Sequence, residues 1–273
     1  TRMTFSTEQR SVQLAARALT ALRSRAFAQG LRRLFLFTKP QNQGMFRDFG
    51  FYPISHTSDM LLMENTRNGI SDFVASLDRG PQGGVHGAVV ANCNPFTLGH
   101  RYLIERAAAS CDVLHLFILS EDKSAVPADV RFALVRQGVS DLKNVLVHPT
   151  SDYLISSVTF PTYFLKDEQK AGEAAGRLDL TIFCDYFVPA LSITRRFVGQ
   201  EPFCPVTAAY NRLMHEMLPP RGVQVTEIPR LEKGGCAVSA SRVRALWKEQ
   251  KWDELRPLVP DATFRYLSTG VWD

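Results

Sequence analysis

Apolar positions in the first thirty residues recur at helical spacing. Val12, Ala15, Ala16, Leu19, Leu22 and Phe27 follow a Ser6-Thr7-Glu8-Gln9 capping box, and Gly30 stops the run. The continuous apolar stretch Leu34 to Thr38 predicts a buried strand, Gly44 to Asp48 a short helix, and Phe51 to Ile54 and Met60 to Glu64 two further strands. Asp78-Arg79-Gly80-Pro81-Gln82-Gly83-Gly84 then breaks the pattern. Beyond it, apolar runs of strand length alternate with amphipathic stretches. Strands are expected at Val85 to Ala91, Val113 to Leu119, Val145 to His148, Leu180 to Cys184, Phe197 to Gly199 and Val223 to Ile228. Helices are expected at Leu98 to Ser110, Ala128 to Ser140, Tyr163 to Ala175, Ala208 to Met217 and Ser239 to Glu249, with one or two more between Trp252 and Leu267. That alternation predicts an α/β fold, a Rossmann-like doubly wound parallel sheet with helices on both faces. The expected organisation is a small α+β segment over 1–78, a linker over 79–84 and the main domain over 85–273.

Composition narrows the function classes. The 273 residues are 45% hydrophobic and 22% charged, which excludes wholesale disorder. No apolar run approaches the roughly 20 residues of a membrane span, and Thr1-Arg2-Met3-Thr4 opens no apolar signal core, so neither a membrane association nor a secretory leader is expected. The net charge of +5 is spread along the chain, which argues for anionic small molecules or an acidic partner and against nucleic acid. Five cysteines (Cys93, Cys111, Cys184, Cys204, Cys236) never fall in a CxxC spacing. A zinc ribbon or disulfide framework is thereby excluded, and a reducing cytoplasm is expected.

Two stretches carry candidate chemistry. Asn92-Cys93-Asn94-Pro95-Phe96-Thr97-Leu98-Gly99-His100 follows the first strand after the linker. Ligands of doubly wound sheets gather beyond strand carboxyl ends, where the unpaired amides of a helix N-terminus attract anions. Gly99 would admit a phosphate close to the backbone, while Thr97 and the His100 ring offer donors. Val238-Ser239-Ala240-Ser241-Arg242-Val243-Arg244 opens the second stretch after the loop Glu232-Lys233-Gly234-Gly235. Ser239 is a natural N-cap, Ser241 lies in the first turn, and Arg244 brings a fork of donors. Taken singly, the first stretch reads equally as a turn with a helix cap, and the second reads more simply as a capped helix with a solvated basic face.

Taken together, in this order and context, they resemble the nucleotidyltransferase superfamily with the HxGH motif. Thr97-Leu98-Gly99-His100 is similar to its TxGH variant, and Ser239 to Arg244 to its serine-serine-threonine-x-x-arginine motif. The stretches Ser120 to Ser124, Tyr153 to Asp167, Arg196 to Pro202, Thr207 to Asn211 and Glu227 to Arg230 narrow the resemblance to the citrate lyase ligase family. It covers the chain from about Val85 to its end. The resemblance implies attack on the α-phosphorus of ATP with loss of pyrophosphate: acetate becomes acetyl-AMP, and the thiol of the citrate lyase acyl-carrier subunit takes the acetyl group as AMP leaves. It implies catalytic roles for His100, Thr97 and Arg244. The implied ATP contacts are Asn94, Phe96, Thr97, Gly99, His100, Gly199, Glu201, Ser239, Ser241 and Arg244, with Mg2+ carried on the ATP phosphates and no metal cage of protein ligands. Lys123 is a weaker phosphate or carrier candidate, Tyr153 to Phe164 a candidate wall of the acyl pocket, and Cys93 a buried thiol. Two alternatives stay open, an adenylyltransferase for a phosphorylated cofactor precursor and a non-catalytic nucleotide-binding remnant. Leu34 to Asn42 and Phe49 to Ile54 resemble the C-terminal half of a GNAT-type acetyltransferase fold, so a partial GNAT-like segment is expected there. Ser6 to Ser11 holds no glycine to expose amides, and acetyl-CoA binding is not expected.

Overall fold

A computed structural model describes residues 7–120, 124–154, 168–201 and 204–271. They group into two compact units, one within Thr1–Phe73 and Pro161–Thr181, the other within Val74–Phe160 and Ile182–Asp273. No helix among the described residues is long and apolar enough to cross a membrane.

The first unit begins with the expected long helix, α1 (Thr7–Ala28). Strand β1 (Phe35–Thr38) and the short α2 (Gln43–Asp48) follow, then β2 (Tyr52–His56) and β3 (Leu61–Glu64). The strands form an antiparallel sheet of order β1-β3-β2, with Phe35 opposite Glu64 and Tyr52 sharing that partner. Its small core packs Phe51, Leu61 and Met63 against Leu19, Leu34, Leu36, Phe46 and Phe49. The structure adds a helix that the pattern does not predict, α3 (Gly69–Ala75). The buried Glu64 carboxylate accepts the Ile70 N–H at 3.0 Å, satisfying one of the orphan amides at its start.

In the second unit, β4 (His86–Ala91), α4 (Leu98–Ala108), β5 (Val113–Ile118), α5 (Ala128–Gly138) and β6 (Val145–Pro149) come first. Helix α6 (Glu168–Ile182), grouped with the first unit through Thr181, runs on as a π-helical turn over Phe183–Phe187 and the short α7 (Val188–Leu191). Strand β7 (Ile193–Gly199), α8 (Pro205–Met217), β8 (Gln224–Ile228), the hairpin β9 (Glu232–Lys233) and β10 (Cys236–Ala237), and α9 (Ala240–Lys248) complete the site-bearing part. Helices α10 (Trp252–Leu255) and α11 (Asp261–Thr269) close the chain. Five parallel strands lie in the order β6-β5-β4-β7-β8, so the direction of winding reverses beside β4. The Rossmann-like expectation is met, and the reversal places the ligand crevice at the carboxyl ends of β4 and β7.

Several boundaries are corrected. Leu180 to Cys184 is not a strand but the end of α6 and the π-helical turn. Leu180, Ile182, Phe183, Cys184 and Phe187 are all buried, so the alternation of apolar residues there reflects a helix enclosed on most sides. Strand β7 starts four residues earlier than expected, because Arg196 is a buried strand residue whose guanidinium lies 4.8 Å over the Phe183 ring. The loop Glu232 to Gly235 is half of a hairpin. Ser6 and the first part of the Tyr163 to Ala175 helix lie outside the described residues.

One face of the large sheet packs Val89, Leu114, Leu116 and Ile118 against Ile104, Ala107, Leu134 and Val135 of α4 and α5. The other face carries a row of three buried histidines, one from each of β4, β5 and β6. His86 Nδ1 lies 3.1 Å from His115 Nε2, and His115 Nδ1 lies 3.1 Å from His148 Nε2. His86 Nε2 donates to the Gly83 carbonyl at 3.1 Å. With one proton per ring, donation then runs in a single direction, from His148 to His115 to His86. Burial, reinforced by its ring neighbours, pushes His115 down to about 3, and burial pushes His148 down to about 4. Phe117 packs on His148 and meets Phe187 of the π-helical turn edge-on.

Candidate functional site

The turn from β4 into α4 is built by local chemistry. Thr97 is the N-cap of α4, with extended backbone, and its hydroxyl accepts the His100 N–H at 3.3 Å. In return the Thr97 N–H donates to His100 Nδ1 at 3.2 Å, and the hydroxyl lies 2.9 Å from the same nitrogen. Histidine thus takes the place that Glu or Gln holds in the usual capping box. The consequence is a fixed tautomer: Nδ1 accepts, so Nε2 carries the proton. The ring stacks on the buried Phe96 at 6.2 Å. Phe96 itself fits only because position 138 is glycine, where a Cβ would stand 2.3 Å from its ring. Burial, followed by the positive charges of Arg230 and Arg244, pushes His100 down to about 4. It is a neutral N–H donor at pH 7.

The loop ahead of this turn is held from beneath by a buried guanidinium. Arg131 of α5 donates through Nε to the Val126 carbonyl at 3.1 Å and through Nη1 to the Asn92 carbonyl and side-chain oxygen at 2.7 and 2.6 Å. Asn94 is likewise engaged within the fold. Its side chain accepts the Val126 N–H at 3.0 Å, and its carbonyl accepts from Arg244 Nη1 at 2.5 Å. Cys93 is buried at φ 50, and burial pushes its thiol up to about 12, which makes it a packed thiol rather than a nucleophile.

The second stretch arrives from the β9–β10 hairpin. Ser239 caps α9, accepting the Arg242 N–H at 3.2 Å, and its hydroxyl lies 3.1 Å from that of Ser241. The two stretches touch directly. A Cβ at position 99 would stand 2.4 Å from the Val238 carbonyl oxygen, so Gly99 is required for chain to approach chain, in addition to facing the cleft.

The cleft between them measures about 290 Å³. Thr97, Gly99 and His100 line it from one side, Ser239, Ser241 and Arg244 from the other, and Gly199 from the end of β7. Asn94 and Phe96 are not among its lining residues, and Glu201 lines an adjoining chamber. Lys123 and positions 155–164 of the aromatic stretch lie outside the described residues, whereas Tyr153 and Leu154 are buried. The pattern gives Arg230 no role, yet it lines the cleft two residues past β8. It donates through Nε to the Gln200 carbonyl at 2.8 Å and through Nη2 to Glu201. Its place beyond a strand carboxyl end was the signal available in the sequence. Among the described residues no group of three or more His, Cys, Asp or Glu side chains could hold a metal ion.

The chain matches the sequence profile of the citrate lyase ligase C-terminal domain over residues 86–267. A citrate (pro-3S)-lyase ligase of Klebsiella pneumoniae is 44% identical over 260 residues, spanning 93% of this chain and 76% of that protein. Its Escherichia coli counterpart is 41% identical over 273 residues, spanning 96% and 77%. Among solved structures, a pantothenate synthetase of Thermus thermophilus aligns at TM-score 0.43 and 14% identity over 64% of this chain and 65% of that one.

Proposed function

The chain belongs to the citrate lyase ligase family, and on that premise we propose that it is an ATP-dependent acetate:thiol ligase acting on the citrate lyase acyl-carrier subunit. One observation carries the site assignment: Thr97, Gly99 and His100 line a single cleft with Ser239, Ser241 and Arg244, and Arg244 donates to the Asn94 carbonyl in the loop ahead of α4. In the first half-reaction an acetate oxygen attacks the α-phosphorus of ATP, and the bond to the bridging oxygen breaks to release pyrophosphate. Charge builds on the α-phosphoryl oxygens and on the leaving group, and fixed donors disperse it without reorganisation. His100 Nε2–H serves the α-phosphoryl oxygen as a neutral donor. Ser239, Ser241 and the Arg244 fork serve the β- and γ-phosphates, and Arg230 adds positive field from the β8 side. The nucleoside lies toward Gly199 and Gln200 at the carboxyl end of β7.

Mg2+ bound to ATP would neutralise phosphate charge, and a cleft lined by hydroxyls and guanidiniums suits an ion held mainly by phosphate oxygens. In the second half-reaction the carrier thiolate attacks the acetyl carbon, and AMP leaves with the C–O bond electrons. All five cysteines are free, which suits a reducing cytoplasm. The test is acetate-dependent exchange of pyrophosphate into ATP, followed by the mass of the carrier subunit after incubation with ATP and acetate. A gain of one acetyl group is expected. A stable adenylylated product, or ATP binding without exchange, would overturn the reading.

A further inference from the structure

A cation helps a bound triphosphate most when its donors already stand where charge develops. Arginine is among the side chains with most rotamer freedom to lose, so a guanidinium that lines a ligand cleft has to be held in place. Arg230 lines the cleft from the segment past the end of β8, with its side chain partly exposed. Its charge stands near enough to His100 to help push that ring down. Two acceptors hold it. The Gln200 carbonyl accepts the Nε–H at 2.8 Å, and the Glu201 carboxylate accepts from Nη2. Both tethers fall on one edge of the planar guanidinium, and Nη1 takes part in neither. Glu201 is itself anchored. Its other oxygen accepts the N–H of Cys204, the N-cap of α8, at 3.1 Å, and its side chain is only 11% exposed. Gly199 and Gln200 line the cleft, whereas Glu201 does not. A carboxylate offers a triphosphate only repulsion, so an acid this close to a phosphate site needs another task.

We propose that Glu201 is a positioning residue: anchored on the start of α8, its carboxylate sets the Arg230 guanidinium in the cleft, so that ATP meets that donor already in place. This role rests on the reading of the cleft as an ATP site. It replaces the direct ATP contact that the family resemblance implies for Glu201 with an indirect one through Arg230. The sign of the effect separates the two physical possibilities. Removing an acid from beside a triphosphate relieves repulsion, so charge alone makes Glu201→Ala bind ATP more tightly. Loss of the tether releases Arg230 and makes it bind ATP more weakly.

The test is a double-mutant cycle on ATP affinity, measured by direct binding to the full chain with Glu201→Ala, Arg230→Ala and the double variant. Each single change should raise the Kd for ATP roughly tenfold, and the double variant should bind no more weakly than Arg230→Ala alone. Glu201→Gln keeps an acceptor for both partners and should recover part of the loss. Tighter binding by Glu201→Ala, or single effects that simply multiply in the double variant, overturns the proposal. Binding of 2′-deoxy-ATP and 3′-deoxy-ATP tests for a direct contact with the ribose. If wild type prefers ATP over either analogue and Glu201→Ala loses that preference, Glu201 touches the nucleotide and the positioning role fails. Should the alanine variant not fold, the glutamine variant carries the same cycle. Wild-type protein that binds ATP without acetate-dependent exchange would sink the ligase reading while leaving this cycle intact.

Discussion

His100 and the row His86, His115 and His148 show how one residue type serves two ends. In both regions burial holds rings far below the usual histidine range. In the row, each ring is bonded to the next across the strands, and the last proton goes to the Gly83 carbonyl. Its donors are consumed by the fold. At His100 the capping box occupies only Nδ1, and the ring lines the cleft with Nε2–H uncommitted to that box. What separates the two regions is the one donor that the capping box leaves over at His100, since burial acts on His100, His115 and His148 in the same direction.

Removing that donor should produce the largest effect. His100→Ala is expected to lower acetate-dependent pyrophosphate exchange by roughly a hundredfold or more. Its melting temperature should move by only a few degrees, because a single cap is worth about 1 kcal/mol. Gly99→Ala leaves every donor in place but drives a methyl into the Val238 carbonyl. Overpacking of this kind costs about 1–3 kcal/mol of stability, so the expected outcome is a melting temperature lowered by several degrees, with a raised KM for ATP in the same exchange assay as the wall of the cleft shifts.

The row makes its own prediction through pH. Unfolded histidines take up protons near pH 6.5, whereas His115 and His148 resist until about 3 and 4. The unfolded chain therefore binds more protons in between. Stability is level above pH 6.5 and falls as pH drops below it, by roughly 1.4 kcal/mol per pH unit for each such ring. Denaturant midpoints between pH 7 and 4 check this, and His115→Gln should remove one ring's share of the slope. His100 adds a similar share, which His100→Ala removes separately. The smallest effect belongs to Ser239→Ala. Loss of this cap should cost about 1 kcal/mol, read as a modest drop in melting temperature, together with weaker ATP binding.

Local features were legible in the sequence and tertiary ones were not. The turn Thr97 to His100 and the cap at Ser239 announce themselves, because a helix start is decided by residues three apart. The parallel sheet follows from strand-length apolar runs that alternate with amphipathic helices. Leu180 to Cys184 misleads because a helix buried on several sides loses its 3.6-residue signature and can mimic alternation. Arg131 carries no local mark, and Arg230 only its place beyond the end of a strand. Their distant partners, Asn92 for one and Gln200 and Glu201 for the other, are brought close only by folding. The histidine row depends on cross-strand register, with Ala88 opposite His115 and Phe117 opposite His148, which no single strand reveals.

The seam between Gly99 and the Val238 carbonyl also limits how this molecule can vary. Any side chain at position 99 would have to be answered by a shift of the strand-to-helix passage some 140 positions later in the chain. Substitutions in the two stretches are therefore coupled, and grafting either one alone into a foreign scaffold would import half of a fitted joint.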